Sequence, residues 1–181
     1  MGAAASSAIS SPSALMVMGV SGSGKTTVAE LIARRLGWEM LEGDRLHPPE
    51  NVEKMRRGEP LDDADRWPWL DRIGARLQEF AAEGRPVVVT CSALKRVYRA
   101  RLLSARPDLV FVYLKGSAAL LTARVQARHH EYMPASLLAS QLATLEEPGA
   151  DEPAIEVDAA LPPEAEADAA LKTLRLPGAA P

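Results

Sequence analysis

The stretch Gly19-Val-Ser-Gly-Ser-Gly-Lys-Thr26 restricts the possible folds more than any other part of the chain. It satisfies G-x-x-x-x-G-K-[ST] at every required position and follows the apolar run Ala14-Leu-Met-Val-Met18. A buried strand that ends in a glycine-rich turn and opens a helix is the context in which this P-loop pattern carries meaning. Glycines let the backbone curl until its N–H groups converge on phosphate oxygens, and the positive end of the helix dipole adds to the attraction. Gly19, Ser21, Gly22, Ser23, Gly24, Lys25, Thr26 and Thr27 are the expected nucleotide-binding residues. Lys25 is expected to reach the β- and γ-phosphates, and Thr26 to offer its hydroxyl to Mg²⁺.

The remaining chain alternates short apolar runs with helical patterns. A helix is expected from Lys25 to Leu36, a weaker strand at Trp38–Leu41, and a short helix from Pro49 to about Gly58. Trp67, Leu70, Ile73, Leu77 and Phe80 step by three or four and mark a helix with one apolar face. Val87-Val-Val-Thr90 is the clearest strand. A helix from about Lys95, a strand at Leu109–Leu114, a helix through Arg128 and another over Pro134–Glu146 follow. A strand at Ala154–Val157 and a helix over Pro162–Leu174 complete the series. All-apolar strands alternating with helices predict a three-layer α/β/α fold around a central, mostly parallel five-stranded sheet. Ligands on such sheets bind at the carboxyl ends of the strands.

At 181 residues the chain is expected to form one domain over 14–176, with loose tails at 1–13 and 177–181. Met1-Gly2 and Ser6 formally fit an acylation pattern, but a disordered tail is the simpler reading of this small, uncharged segment. A net charge of −3 gives no basic footprint, which argues against nucleic acid as a partner. The lone Cys91 precludes an intrachain disulfide and suits a reducing compartment. No apolar run approaches the roughly 18 residues that span a membrane. A soluble, cytoplasmic protein is expected.

A P-loop does not name the phosphoryl acceptor, which can be water, a protein, a nucleotide or a small metabolite. The chain's size favours a small-molecule kinase over a motor or switch. Asp44 follows the second strand and is expected beside the P-loop, where a carboxylate can take a proton from an attacking hydroxyl or hold Mg²⁺. Asp44-x-x-His47 lacks nearby partners for a zinc site, since His129 and His130 lie far along the chain. Lys95, Arg96 and Arg99 follow the strongest strand and are one helical turn apart, a candidate clamp for an anion or a solvated basic face. Cys91 reads as a small buried side chain rather than a nucleophile.

The blocks GVSGSGKTT, GDRLHPPENVEKMRRGEPLDDADRWPWL, CSALKRVYR, FVYLKG and the run from Arg124 through QLATLEEP resemble the gluconokinase family, in order and spacing, over about residues 15 to 158. Shikimate kinase shares only the first block. The resemblance implies a P-loop kinase fold with a helical lid, here about 124–146, and ATP–Mg²⁺-dependent phosphorylation of D-gluconate at its 6-hydroxyl. It implies catalytic roles for Lys25, Asp44, Arg124 and Arg128, with Thr26 and Asp44 toward the metal. It places Asp44, His47, Lys54, Arg66, Lys95 and Arg99 around the gluconate. The family is typically dimeric, which implies a homodimer. The lid departs from the family pattern at Glu131-Tyr132. The rival readings are a kinase of the same fold for another hydroxy acid and a nucleotide-binding module without catalysis.

Overall fold

The computed structural model describes residues 12–127 and 135–178. Strands β1 (Ala14–Met18), β2 (Glu39–Glu42), β3 (Val87–Thr90), β4 (Leu109–Lys115) and β5 (Ala154–Asp158) form one sheet in the order β2-β3-β1-β4-β5. Every neighbouring pair is parallel, so the sheet is wholly rather than mostly parallel. The helices are α1 (Lys25–Leu36), α2 (Pro49–Arg56), α3 (Asp63–Ala82), α4 (Arg96–Ala105), α5 (Ala118–Ala127), α6 (Ala135–Thr144) and α7 (Pro163–Leu174). A short 3-10 turn, Gly43–Leu46, follows β2.

The central strands are apolar throughout because both faces of the sheet are covered. Their two-residue period divides the side chains between two cores. Met16, Val89 and Phe111 face α3 and α4, where Leu70, Ile73, Leu77 and Leu102 meet them. Leu15, Val17, Val88 and Val112 face α1 and α7, against Val28, Ile32, Ala167 and Leu171. On α3 the inward tryptophan is Trp69, which is 1% exposed, whereas Trp67 is only half-buried. The helix is phased by its start: Asp62 accepts from Asp65 N–H and Asp65 accepts from Asp62 N–H, a reciprocal cap that begins the first turn.

Residues just ahead of β1 are tied into the structure. Pro12 is buried, and the Ser13 hydroxyl donates to Asp108 at 2.6 Å while its carbonyl accepts from Val87 N–H at 3.1 Å. These bonds continue the β1 edge into the loop before β4. Residues 1–11 and 179–181 lie outside the described residues. So do residues 128–134, and with them Arg128, Glu131 and Tyr132.

The chain leaves β1 toward one edge of the sheet, returns to form β3 beside β1, and then crosses to β4 on the other side. The crevice at the carboxyl end of β1 is therefore a topological switch point. The P-loop leaves β1 there, Gly43-Asp44 leaves β2, and Cys91-Ser92 leaves β3.

Candidate active site

A cleft of about 610 Å³ opens at these strand ends. One wall is the phosphate loop: Ser21, Gly22, Gly24, Lys25, Thr26 and Thr27 line it. Gly24 stands at the N-cap of α1 in the left-handed region (φ 93°) and supplies no side-chain cap. An α-helix leaves its first N–H groups without intrahelical acceptors, and those of Thr26 and Thr27 stand on the cleft wall. A Cβ on Gly22 would lie 2.9 Å from Val125 Cγ2 and 3.2 Å from the Leu121 carbonyl, so glycine there lets α5 pack directly on the loop. Ser23 Oγ is buried and, among the described residues, has no hydrogen-bond partner. Lys25 Nζ donates to the Val20 carbonyl at 3.0 Å, folded over the loop. From α6, Gln141 Oε1 accepts from the Ser21 N–H at 2.7 Å.

The opposite wall holds Asp44, His47 and Arg66. Gly43 attaches this wall to the sheet. Its N–H donates to Thr90 Oγ1 at 3.3 Å, its carbonyl accepts from Trp69 Nε1 at 2.8 Å, and a Cβ would fall 2.1 Å from the Thr90 carbonyl. The next residue, Asp44, is 70% exposed and projects into the cleft. His47 lies nearly flat on Trp69, with ring centroids 4.0 Å apart and 16° between planes. Burial, with the positive charge of Arg66 adding to it, lowers the His47 pKa to about 4, so the ring is neutral at pH 7. Arg66 is 7% exposed and its Nε donates to the Leu61 carbonyl at 3.3 Å. Among the described residues no carboxylate forms an ion pair with it. A buried guanidinium without a counter-ion is costly, and on a cleft wall it is an anion site.

Three expected acceptor residues are committed elsewhere. Arg99 is wholly buried: its Nε donates to Glu152 at 2.6 Å and its Nη1 to the carbonyls of Ala93 and Glu146, both at 2.9 Å. These bonds tie α4 to the 146–152 loop, and the turn before the helix passes through Ala93 at φ 44°. Arg96 pairs with Asp151 on the surface. Lys95 pairs with Asp63 at 2.8 Å and Lys54 with Asp65 at 2.6 Å, and neither lines the cleft. Sequence reasoning missed Asn51, Trp69 and Gln141. Asn51 and Gln141 stand inside quoted blocks, PPENVEKM and QLATLEEP, yet carry no charge to draw notice.

Cys91 is fully buried and burial pushes its thiol up to about 12, which rules out a thiolate nucleophile. No group of three metal-ligating side chains occurs among the described residues. His47 Nε2 and Asp44 Oδ1 are 4.0 Å apart. Arg124 on α5 stands beside the buried Glu166 of α7, whose charge it favours. Among the described residues, no helix is long and apolar enough to cross a membrane.

Comparison with known proteins bears on the family of the chain. A family model described as an AAA domain matches residues 15–148. A gluconokinase of Gluconobacter oxydans is 56% identical over 146 residues, covering 81% of this chain and 82% of the relative. The crystal structure of a gluconokinase from Sinorhizobium meliloti superposes with a TM-score of 0.83 at 49% identity, covering 91% of this chain and 93% of the other. A sugar kinase from a Janibacter species superposes with a TM-score of 0.87 at 46% identity, covering 90% and 94%.

Proposed function

Because the chain belongs to the gluconokinase family, we propose that it transfers the γ-phosphoryl group of ATP to the 6-hydroxyl of D-gluconate. The products are 6-phospho-D-gluconate and ADP. The observation that carries this reading is Arg66: a buried cation with no carboxylate partner among the described residues, on the wall facing a phosphate cradle. Gluconate brings the carboxylate that such a group would bind, and its hydroxyls match the donors and acceptors of His47 and Asp44.

Asp44 takes the proton of the attacking hydroxyl as the new O6–P bond forms, and the bond from the γ-phosphorus to the bridging oxygen breaks, its electron pair leaving with ADP. Lys25 and the N–H groups at the start of α1 hold the β- and γ-phosphate oxygens. The uncapped helix start fits the phosphates of the nucleotide, and the Thr26 hydroxyl on the cleft wall would be the protein ligand of the divalent ion they carry, with Asp44 toward it. Mg²⁺, when bound there, neutralises charge on the transferring group. Arg124, on the helix that packs on Gly22, and Arg128, outside the described residues, are read as lid arginines that meet the same charge on family resemblance. The reading extends to a cytoplasmic homodimer, on family resemblance alone.

The test is ADP release from ATP–Mg²⁺ with a panel of sugar and hydroxy acids. Gluconate is expected to be turned over far faster than shikimate; equal turnover of shikimate, or none of any acid, overturns the proposal. Arg66→Ala is expected to raise the KM for gluconate by about 10- to 100-fold, the loss of one charged, buried hydrogen-bonding group. An unchanged KM removes Arg66 from the acceptor site.

A further inference from the structure

Asn51, on α2, is 4% exposed. Its Nδ2 lies 2.8 Å from the backbone carbonyl oxygen of Asp65 and 3.3 Å from His47 Nδ1. A carbonyl oxygen can only accept, so the amide nitrogen, and not the amide oxygen, must face Asp65. That nitrogen carries two hydrogens; one goes to Asp65 and the other points at His47 Nδ1. Nδ1 must then present its lone pair, which leaves the ring proton of the neutral imidazole on Nε2. Nε2 is the atom on the Asp44 side, 4.0 Å from Oδ1.

The surroundings of Asn51 are built to hold this arrangement. Asp65, whose carbonyl fixes the amide, is itself fixed by the reciprocal cap with Asp62 and by Lys54 Nζ at 2.6 Å. The ring cannot tip away because it is stacked on Trp69, and Trp69 is tied to Gly43. Charged groups face the imidazole from two elements: Asp44 from the 3-10 turn and Arg66 from α3. The low basicity of the ring, caused by burial and by Arg66, agrees with a lone pair at Nδ1 that is already engaged.

We propose that Asn51 is a positioning residue that fixes His47 as the Nε2–H tautomer, making it a hydrogen-bond donor to the acceptor substrate and leaving proton removal to Asp44. The functional half rests on the reading of this wall as the acceptor site. An Nε2–H imidazole donates to a hydroxyl or carboxylate oxygen of the substrate and cannot serve as the base at that nitrogen. Lys54 thereby acts at a distance: it steadies the residue whose carbonyl orients Asn51.

The test is long-range ¹H–¹⁵N correlation on the full chain labelled at histidine, at neutral pH, with His47 assigned by the signal lost in His47→Gln. The expected wild-type spectrum shows a protonated Nε2 and an unprotonated Nδ1. An Nδ1–H tautomer or a doubly protonated ring overturns the proposal without need of any variant. Asn51→Asp, which can only accept at that position, is expected to move the proton to Nδ1. It should raise the KM for gluconate by about tenfold while the KM for ATP stays within about twofold. A moved proton with unchanged gluconate kinetics overturns the substrate-donor role. If the wild-type protein fails to phosphorylate gluconate, the functional reading falls, and the spectrum still decides the tautomer.

Discussion

The Ser21 N–H donates to Gln141 Oε1 at 2.7 Å, joining the phosphate loop to a helix 120 positions away. The bond fixes how α6 sits over the cradle, and it satisfies a loop amide that would otherwise face the cleft. Gln141→Ala is expected to raise the KM for ATP by about tenfold, the value of one half-buried hydrogen bond. The KM for gluconate should change little. Steady-state kinetics with each substrate varied in turn decide it, and an unaltered KM for ATP would show the contact to be incidental.

Of the two carboxylates that line the cleft among the described residues, Glu42 is bound to Arg45 at 2.6 Å, and Asp44 has the neutral His47 ring 4.0 Å away. Asp44→Asn keeps the shape and removes the proton acceptor. Turnover is expected to fall by roughly 10²- to 10⁴-fold, with ATP affinity, measured by calorimetry, nearly intact. A variant that retains full turnover would exclude Asp44 from the chemistry.

Arg99 and Glu152 form a buried pair, 0% and 6% exposed, and the arginine holds the carboxylate well below its usual range. Arg99→Ala strands that carboxylate and two loop carbonyls, a loss of about 3–5 kcal/mol by analogy with other broken buried pairs. Denaturant unfolding should show it. The KM for gluconate, which does not depend on the fraction of folded enzyme, is expected to stay near wild type. A large rise in that KM would return Arg99 to the acceptor site.

Glu166 is 1% exposed, and burial raises its pKa from 4.5 to about 7, with Asp158 adding to the rise and Arg124 opposing it. Between these values the folded state keeps a proton that the unfolded chain has released. The stabilisation is therefore complete below pH 4.5 and is lost as pH rises through 7. The scale is on the order of 3 kcal/mol. Glu166→Gln is expected to flatten this slope and to unfold at a higher temperature than wild type at pH 8. Parallel melting profiles of the two proteins across the window would refute it.

The sheet and the phosphate loop were legible because their signals are local. Ala14–Met18 and Val87–Thr90 read as buried strands from composition alone, and the loop pattern requires eight adjacent residues. Asp44 was legible from its place after a strand. Side-chain partners were not, because they depend on elements brought together by the fold. Asn51 acquires its role from Asp65 and His47, and Gln141 from Ser21. Arg99 was expected around the gluconate, and the structure places it in a buried pair with Glu152, a partner 53 positions along the chain that no local pattern announces. Trp69 rather than Trp67 turned inward because it stands one turn before Ile73, on the buried row that runs through Leu77 and Phe80.

Gly43 has a bearing on how such an enzyme can be re-tailored. With the Thr90 carbonyl 2.1 Å from where a Cβ would stand, any side chain there would push β2 from β3 and carry Asp44 with it. A library that seeks new acceptors can vary the α2 and α3 surfaces that frame the substrate. The junction that aims Asp44, the proposed base, must be left as it is. On the proposed reading, one glycine thus sets where Asp44 stands, while the flanking helices remain open to change.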